Sequence, residues 1–161
     1  MIILGIDSGI TGAIGAVDLF GKYVGVHDMP VMARGKGQSK VKNQVNPSEL
    51  ADLLNKMLSR GHVMAYLERV SSMPGQGVAS MFSMGDSFGA IRGVLAALDV
   101  PVGIITPQQW KKYYGLGRDK EICRAKAIEI FPEASLGRKK DHNRAEALLI
   151  ANYGLHNLER N

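Results

Sequence analysis

The apolar positions along the chain follow two rhythms. Residues 2–7 are an apolar, β-branched run, residues 11–18 are small and apolar, and residues 22–27 alternate, with Ser8-Gly9 and Phe20-Gly21 supplying turns. This pattern predicts three antiparallel strands joined by tight connections. After Pro47-Ser48-Glu49 the rhythm becomes helical: Leu50, Leu53, Leu54, Met57 and Leu58 repeat at the 3.6 period and stop near Gly61. Residues 63–68 read as a short strand ending in an acid, residues 78–98 as a helix, and residues 102–105 as the next strand behind Pro101. A short helix opens at Pro107, another covers 119–131 and a last one 143–158. The intervening segment of about 33–46 is rich in Gly, Lys, Gln and Ser, and is expected to be a mobile basic loop. Three strands followed by alternating helices and strands predict one mixed α/β domain over 1–161, with later helices crossing between parallel strands.

Within the long helix Gly85, Gly89 and Gly93 recur every four residues, placing bare backbone along one ridge. Each costs about 1 kcal/mol relative to alanine, so the stripe calls for a closely packed partner. Two partners fit: a second copy of the chain, or the sheet of the same chain.

Composition narrows the function. The 161 residues are 45% hydrophobic and 22% charged, enough apolar content for one core. No apolar stretch approaches the roughly 20 residues that cross a bilayer. The N-terminus has no basic region ahead of its apolar run, so a cytoplasmic protein is expected. Cys123 is the sole cysteine, which excludes an intrachain disulfide and cysteine-cluster zinc sites. The net charge of +5 favours a polyanionic partner. Its placement says more: Arg34, Lys36, Lys40 and Lys42 have no acid among them, Lys111, Lys112, Arg118, Lys120, Arg124 and Lys126 outnumber Asp119 and Glu121, and Arg138, Lys139, Lys140 and Arg144 surround Asp141.

Among these cations stand four acids of interest. Asp7 and Glu68 each close an apolar strand, where a side chain is held rigidly beside the core. Asp141 and Glu146 lie near the start of the last helix, and His142, four before Glu146, shares its helical face. Clustered carboxylates repel one another, and oxygen-binding divalent cations relieve that repulsion. Two Mg²⁺ ions roughly 4 Å apart can hold the attacking water and the leaving oxygen of a phosphodiester displacement, with the basic segments on the flanking phosphates.

Four segments, Leu4-Gly-Ile-Asp7-Ser-Gly-Ile-Thr11-Gly, Tyr66-Leu-Glu68-Arg-Val, Ile105-Thr-Pro107-Gln-Gln-Trp110-Lys111-Lys112 and Arg144-Ala-Glu146-Ala-Leu-Leu-Ile-Ala151, in this order, resemble RuvC-type Holliday junction resolvases, particularly bacteriophage members, over almost the whole chain. The resemblance implies a ribonuclease-H-like mixed five-stranded sheet, three antiparallel strands then parallel ones, flanked by helices. It also implies a homodimer that makes paired symmetric nicks in four-way DNA junctions using two Mg²⁺ ions, with Mn²⁺ able to substitute. The family's catalytic acids fall on Asp7 and Glu68, and its DNA-facing lysines on Lys111, Lys112 and Lys120. The C-terminal motif departs from the pattern, because Asn143 stands where an acid is usual and Glu146 replaces the shorter aspartate. Asp141, His142 and Asn143 are therefore alternative ligands there. Ser71 occupies the position of the family's aromatic wedge, leaving Met73, Phe82 or Phe88 as substitutes.

The stretch Gly5 to Gly12 also resembles the first phosphate loop of actin-like ATPases and sugar kinases, but those need two copies of the core and a second Gly-rich loop. A nuclease for other branched DNA or RNA, and a noncatalytic DNA-binding scaffold, are the remaining alternatives.

Overall fold

A computed structural model describes residues 1–35, 42–71 and 75–158. In chain order its elements are β1 (Ile2–Asp7), β2 (Ala13–Asp18), β3 (Tyr23–Asp28), β4 (Val31–Ala33), β5 (Asn43–Val45), α1 (Pro47–Leu58), β6 (Val63–Glu68), α2 (Val78–Ala97), β7 (Val102–Ile105), α3 (Pro107–Tyr113), α4 (Lys120–Ile130), a single 3₁₀ turn (Lys139–Asp141) and α5 (His142–Leu158). The central sheet runs β3-β2-β1-β6-β7, antiparallel from β3 to β1 and parallel from β1 to β7. This is the expected mixed sheet, and among the described residues it is the single large one, half of what the ATPase reading requires.

Strand alternation divides the core and aims the acids. Ile2, Leu4 and Ile6 of β1 and Val63, Ala65 and Leu67 of β6 face α1 and α2, packing with Leu50, Leu54, Ile91 and Leu95. Ile3 and Tyr66 face the other way, toward α3, α4 and α5, with Trp110, Phe131, Leu148 and Leu149. Asp7 shares the parity of Ile3, and Glu68 that of Tyr66, so both acids belong to the face covered by α5.

That helix lies unusually close to the sheet. A Cβ added at Gly5 would collide with the backbone of Ala147 and Ala151, and one at Gly15 would sit 2.6 Å from the Leu148 amide nitrogen. Gly5 and Gly15 are opposite each other on β1 and β2. The last helix thus rests on a patch of sheet with no side chains. Gly154 makes a second such contact, where the Tyr66 ring occupies the space a Cβ would take.

Two expectations change. Part of the basic segment is ordered: β4 and β5 pair as an antiparallel ribbon, Val31 opposite Val45 and Ala33 opposite Asn43, while Lys36 and Lys40 lie outside the described residues. The reason is local, since Val31 and Val45 supply the β-branched positions that the surrounding Gly and Lys conceal. The glycine stripe of α2 does not pack on its own sheet. A Cβ at Gly85, Gly89 or Gly93 would meet nothing within 4 Å, and the helix turns Ser83, Ser87, Ile91 and Leu95 inward instead.

The close approach of α5 makes a direct prediction. Gly15→Ala or Gly5→Ala forces the helix off the sheet and lowers stability by about 1–3 kcal/mol or more, the usual range for overpacking. Urea unfolding midpoints of the two variants check it, and a midpoint equal to that of the parent would show that α5 can retreat freely.

Candidate active site at the ends of β1 and β6

The parallel register pairs Ile6 with Leu67, so Asp7 and Glu68 are the next positions on neighbouring strands. Behind Asp7 the chain turns sharply, with Ser8 buried and its hydroxyl donating to the Glu68 carbonyl at 3.3 Å. The third acid, Glu146, comes from the second turn of α5 and is 8% exposed. Burial is the largest influence on Asp7 and raises its pKa to about 6, with the Glu146 charge adding to the rise and Lys120 and His142 opposing it. Glu68 is pushed to about 7, again chiefly by burial, and further by Asp7 and Glu146. The three acids therefore act on one another across β1, β6 and α5.

Each has a local counterweight. Trp110, fully buried on α3, donates its indole N–H to Glu68 Oε1 at 2.7 Å. Lys111 Nζ lies 3.3 Å from Glu146 Oε1 and 5.0 Å from the centre of the Trp110 ring. His142 Nδ1 is 3.2 Å from the Lys139 carbonyl. With a carbonyl as partner that nitrogen carries the proton, which in the neutral ring leaves Nε2 as the acceptor.

Of the three alternatives at the start of α5, His142 is the one whose charge acts on Asp7. Asn143 is committed elsewhere, its amide donating to the Thr11 carbonyl at 2.5 Å. Asp141, expected as a metal ligand, is engaged in a different network. Its oxygens accept from the Arg138 backbone N–H at 2.9 Å and from the guanidinium at 2.7 Å, and this contact holds its pKa down at about 2. Arg138 lies three residues earlier, so the side chain closes the 3₁₀ turn that starts α5. Nearby, Arg144 grips Asp28 with two bonds of 2.6 Å.

The cations expected to meet DNA are distributed around this cluster. Lys111 and Lys120 influence Glu68 and Asp7 respectively. Lys111, Lys112 and Arg118 line one concavity of about 520 Å³. Lys140 lines another, about 550 Å³, with Thr11, Arg138, His142 and Arg144, and Lys139 is exposed beside it. Lys42 is exposed at the foot of the ribbon, whereas Arg34 is tied to Asp86 of α2 at 2.6 Å. Phe82 is 65% exposed with the Arg34 guanidinium over its ring, whereas Phe88 packs against the core and Met73 lies outside the described residues.

Among the described residues no three His, Cys, Asp or Glu side chains form a ready-made metal cage. The donor set nevertheless has the chemistry of a hard-cation site: three carboxylates, no thiol, and two pKa values raised chiefly by burial and further by mutual repulsion. Trp110 was the residue hardest to foresee. Its position is set by the register that puts Ile105 beside Glu68, and α3 begins one residue later.

Comparison with known proteins places this geometry. The fold is that of RuvC, a ribonuclease-H-like arrangement. The chain superposes on Thermus thermophilus RuvC in complex with a Holliday junction substrate with a TM-score of 0.67 and 18% identity, covering 99% of this chain and 96% of that one. A second Thermus thermophilus RuvC structure gives 0.60 and 21%, over 99% and 97% of the two chains. In sequence, 94 residues are 33% identical to a chloroplastic Holliday junction resolvase of Chlamydomonas reinhardtii, covering 56% of this chain. The match spans 11% of that relative's length. No family model matches the chain. Among the described residues no helix is long and apolar enough to cross a membrane.

The electrostatics predict how stability depends on pH. Both folded-state values lie above those of free carboxyls, so the neutral acids favour folding, and that contribution is lost as pH rises through about 6 for Asp7 and about 7 for Glu68. At about 1.4 kcal/mol per unit, Glu68 alone opposes folding by about 3 kcal/mol at pH 8. Without divalent cations, Glu68→Gln should melt several degrees above the parent at pH 8 and close to it at pH 4.5. Parallel melting curves at both pH values would remove Glu68 from the buried cluster.

Proposed function

We propose that the chain is a structure-selective endonuclease that resolves four-way DNA junctions by hydrolysing a phosphodiester, working as a homodimer that nicks two strands symmetrically. The observation that carries this reading is the convergence of Asp7, Glu68 and Glu146 from three separate elements into one electrostatically coupled site flanked by Lys111 and Lys120. The RuvC fold and the partial match to a Holliday junction resolvase support the choice of substrate. A site that only bound DNA would gain nothing from three carboxylates among its cations.

Asp7, Glu68 and Glu146 are the residues that would hold Mg²⁺, two ions per site with Mn²⁺ as a substitute. Bound there, the cations supply Lewis acidity and a water of lowered pKa. His142 Nε2 stands ready to accept or return a proton at the edge of the site. Lys111 and Lys120 temper the negative charge, while Lys112, Arg118, Lys139 and Lys140 bind flanking phosphates, with Arg34, Lys36, Lys40 and Lys42 extending that grip along the ribbon. Asp141 then serves the site indirectly, by fixing the start of α5 through Arg138. Phe82, the exposed aromatic beside Arg34, is the side chain suited to enter the opened junction centre.

The second copy is assigned to α2. A Cβ on its glycine ridge would meet nothing within 4 Å among the described residues, and Gly89 and Gly93 border a groove of about 570 Å³ with Val102 and Ile104 of the edge strand. Ile104 is 45% exposed on a strand whose outer edge is unpaired. Gly89→Leu raises helix propensity while filling this ridge. It should therefore leave the melting temperature of the monomer intact and shift sedimentation from dimer to monomer. A dimer that survives the change uses another face.

The catalytic test uses labelled four-way, three-way, flap and linear DNA with Mg²⁺. The expected product is paired symmetric nicks on the four-way form. Asp7→Asn and Glu68→Gln should retain junction binding and lose cutting by about a thousandfold, as the removal of about 4 kcal/mol of transition-state stabilisation requires. Preferential cutting of flaps would make the protein a broader branched-DNA nuclease. Undiminished cutting by either variant would end the catalytic assignment of that acid.

A further inference from the structure

We infer that Trp110 is the positioning residue of the acid cluster, its indole edge fixing Glu68 and its face carrying the lysine that holds Glu146. This rests on reading the cluster as the nuclease site.

A fully buried tryptophan needs an acceptor for its one N–H. In a protein where the ring served packing alone, a backbone carbonyl of the surrounding core would suffice. Here the acceptor is the carboxylate Oε1 of Glu68 at 2.7 Å, a charge-assisted bond when the acid is ionised. The arrangement is built by elements on both sides. Ile105 pairs with Glu68 across β6 and β7, and the Ile105 carbonyl accepts from the Arg69 N–H at 2.7 Å. Thr106 and Gln109 then close a reciprocal cap on the first turn of α3, with the Thr106 N–H donating to Gln109 Oε1 at 2.7 Å. Trp110 follows directly on that fixed turn, so its indole is delivered to the strand end by register and capping together.

The ring's other contact is with Lys111. A lysine is long and flexible, and an aromatic face beneath its ammonium restricts where the charge can sit. With Nζ 5.0 Å from the ring centre and 3.3 Å from Glu146 Oε1, Lys111 links the ring to the third acid. One side chain thus orients two acids from different elements. The indole bond occupies one oxygen of Glu68 and so presents the other in a fixed direction.

Trp110 is the chain's only tryptophan, so a ¹⁵N spectrum contains one indole N–H resonance and it reports this contact alone. Titrating the parent protein with Mg²⁺ should shift that resonance, and Glu68→Gln should abolish the shift. Trp110→Phe keeps a ring and loses the N–H. It lowers the melting temperature, as shrinking a buried ring must; assayed well below that transition it should keep the parent's junction KM, while kcat falls 10–100-fold and Mn²⁺ affinity, followed by electron paramagnetic resonance, weakens by a similar factor, the usual effect of removing an outer-shell partner. A purely structural tryptophan would lower the melting temperature and leave the metal affinity and kcat of the folded protein unchanged. The inference is overturned if Trp110→Phe binds Mn²⁺ and turns over like the parent, or if the indole resonance stays fixed while Mn²⁺ binds. Parent protein that cuts no branched DNA overturns the nuclease reading alone, since the resonance and metal-binding arms need no cleavage. Parent protein that binds no divalent cation overturns both.

Discussion

The site exists because a helix backbone can touch the sheet. At Gly5 and Gly15 the absence of two Cβ atoms lets α5 settle directly on β1 and β2. One residue from that contact, Glu146 comes within electrostatic range of Asp7. Any side chain at either position would lift the helix and carry Glu146 with it. The apolar run Ala145, Ala147, Leu148, Leu149, Ile150 and Ala151, all fully buried, is the complement of that bare patch. Stability and acid placement therefore share one interface, and neither can be tuned alone.

Having brought one buried and two half-buried carboxylates together, the fold must tolerate their repulsion. It does so with neutral and cationic neighbours of graded strength: an indole N–H on Glu68, an ammonium on Glu146, and the more distant charges of Lys120 and His142 on Asp7. None is an arginine forked onto a site acid. The contrast with Asp141 is instructive. A guanidinium that holds a carboxyl near pKa 2 also occupies its oxygens, which suits a structural acid and would disable a ligand. The weaker counterweights leave Asp7 and Glu68 with raised pKa values, a cost in stability at neutral pH that is common where function and packing compete.

Much of this was legible in the chain. Apolar strands that end abruptly in Asp7 and Glu68 identify rigid acids, and the helical period of Leu50, Leu54 and Met57 locates α1 within a residue or so. Strand parity, once the register is known, aims both acids at one face. What stayed hidden depended on partners distant in sequence. Glycines that pack, such as Gly5, Gly15 and Gly154, are isolated in the sequence, whereas the regular stripe at Gly85, Gly89 and Gly93 meets nothing within 4 Å among the described residues. Regular spacing signals a ridge but says nothing of what lies against it. Asp141 and Glu146 lie close in sequence, yet Asp141 is forked by Arg138 in the turn before α5 whereas Glu146 on α5 meets Lys111. Trp110 belongs to the core, but composition cannot reveal that its one polar atom faces an acid 42 residues away.

The helix α2 touches the core on one side and the β4–β5 ribbon on another. Its inward line of Ser83, Ser87, Ile91 and Leu95 is set on the core, its glycine ridge is open, and its first half carries Asp86 and Phe82 toward the β4–β5 ribbon. Arg34, at the foot of that ribbon, is only 18% exposed and bonds Asp86, yet its Nε has no partner. Asp86 itself is 39% exposed, so the pair contributes at most about 1 kcal/mol. Energy of that size does not hold a domain together. It is enough to orient a short basic ribbon over the helix and weak enough to exchange for a phosphate, because a guanidinium already half satisfied by one carboxylate loses little in moving to another anion. The ribbon is thereby aligned with the exposed Phe82.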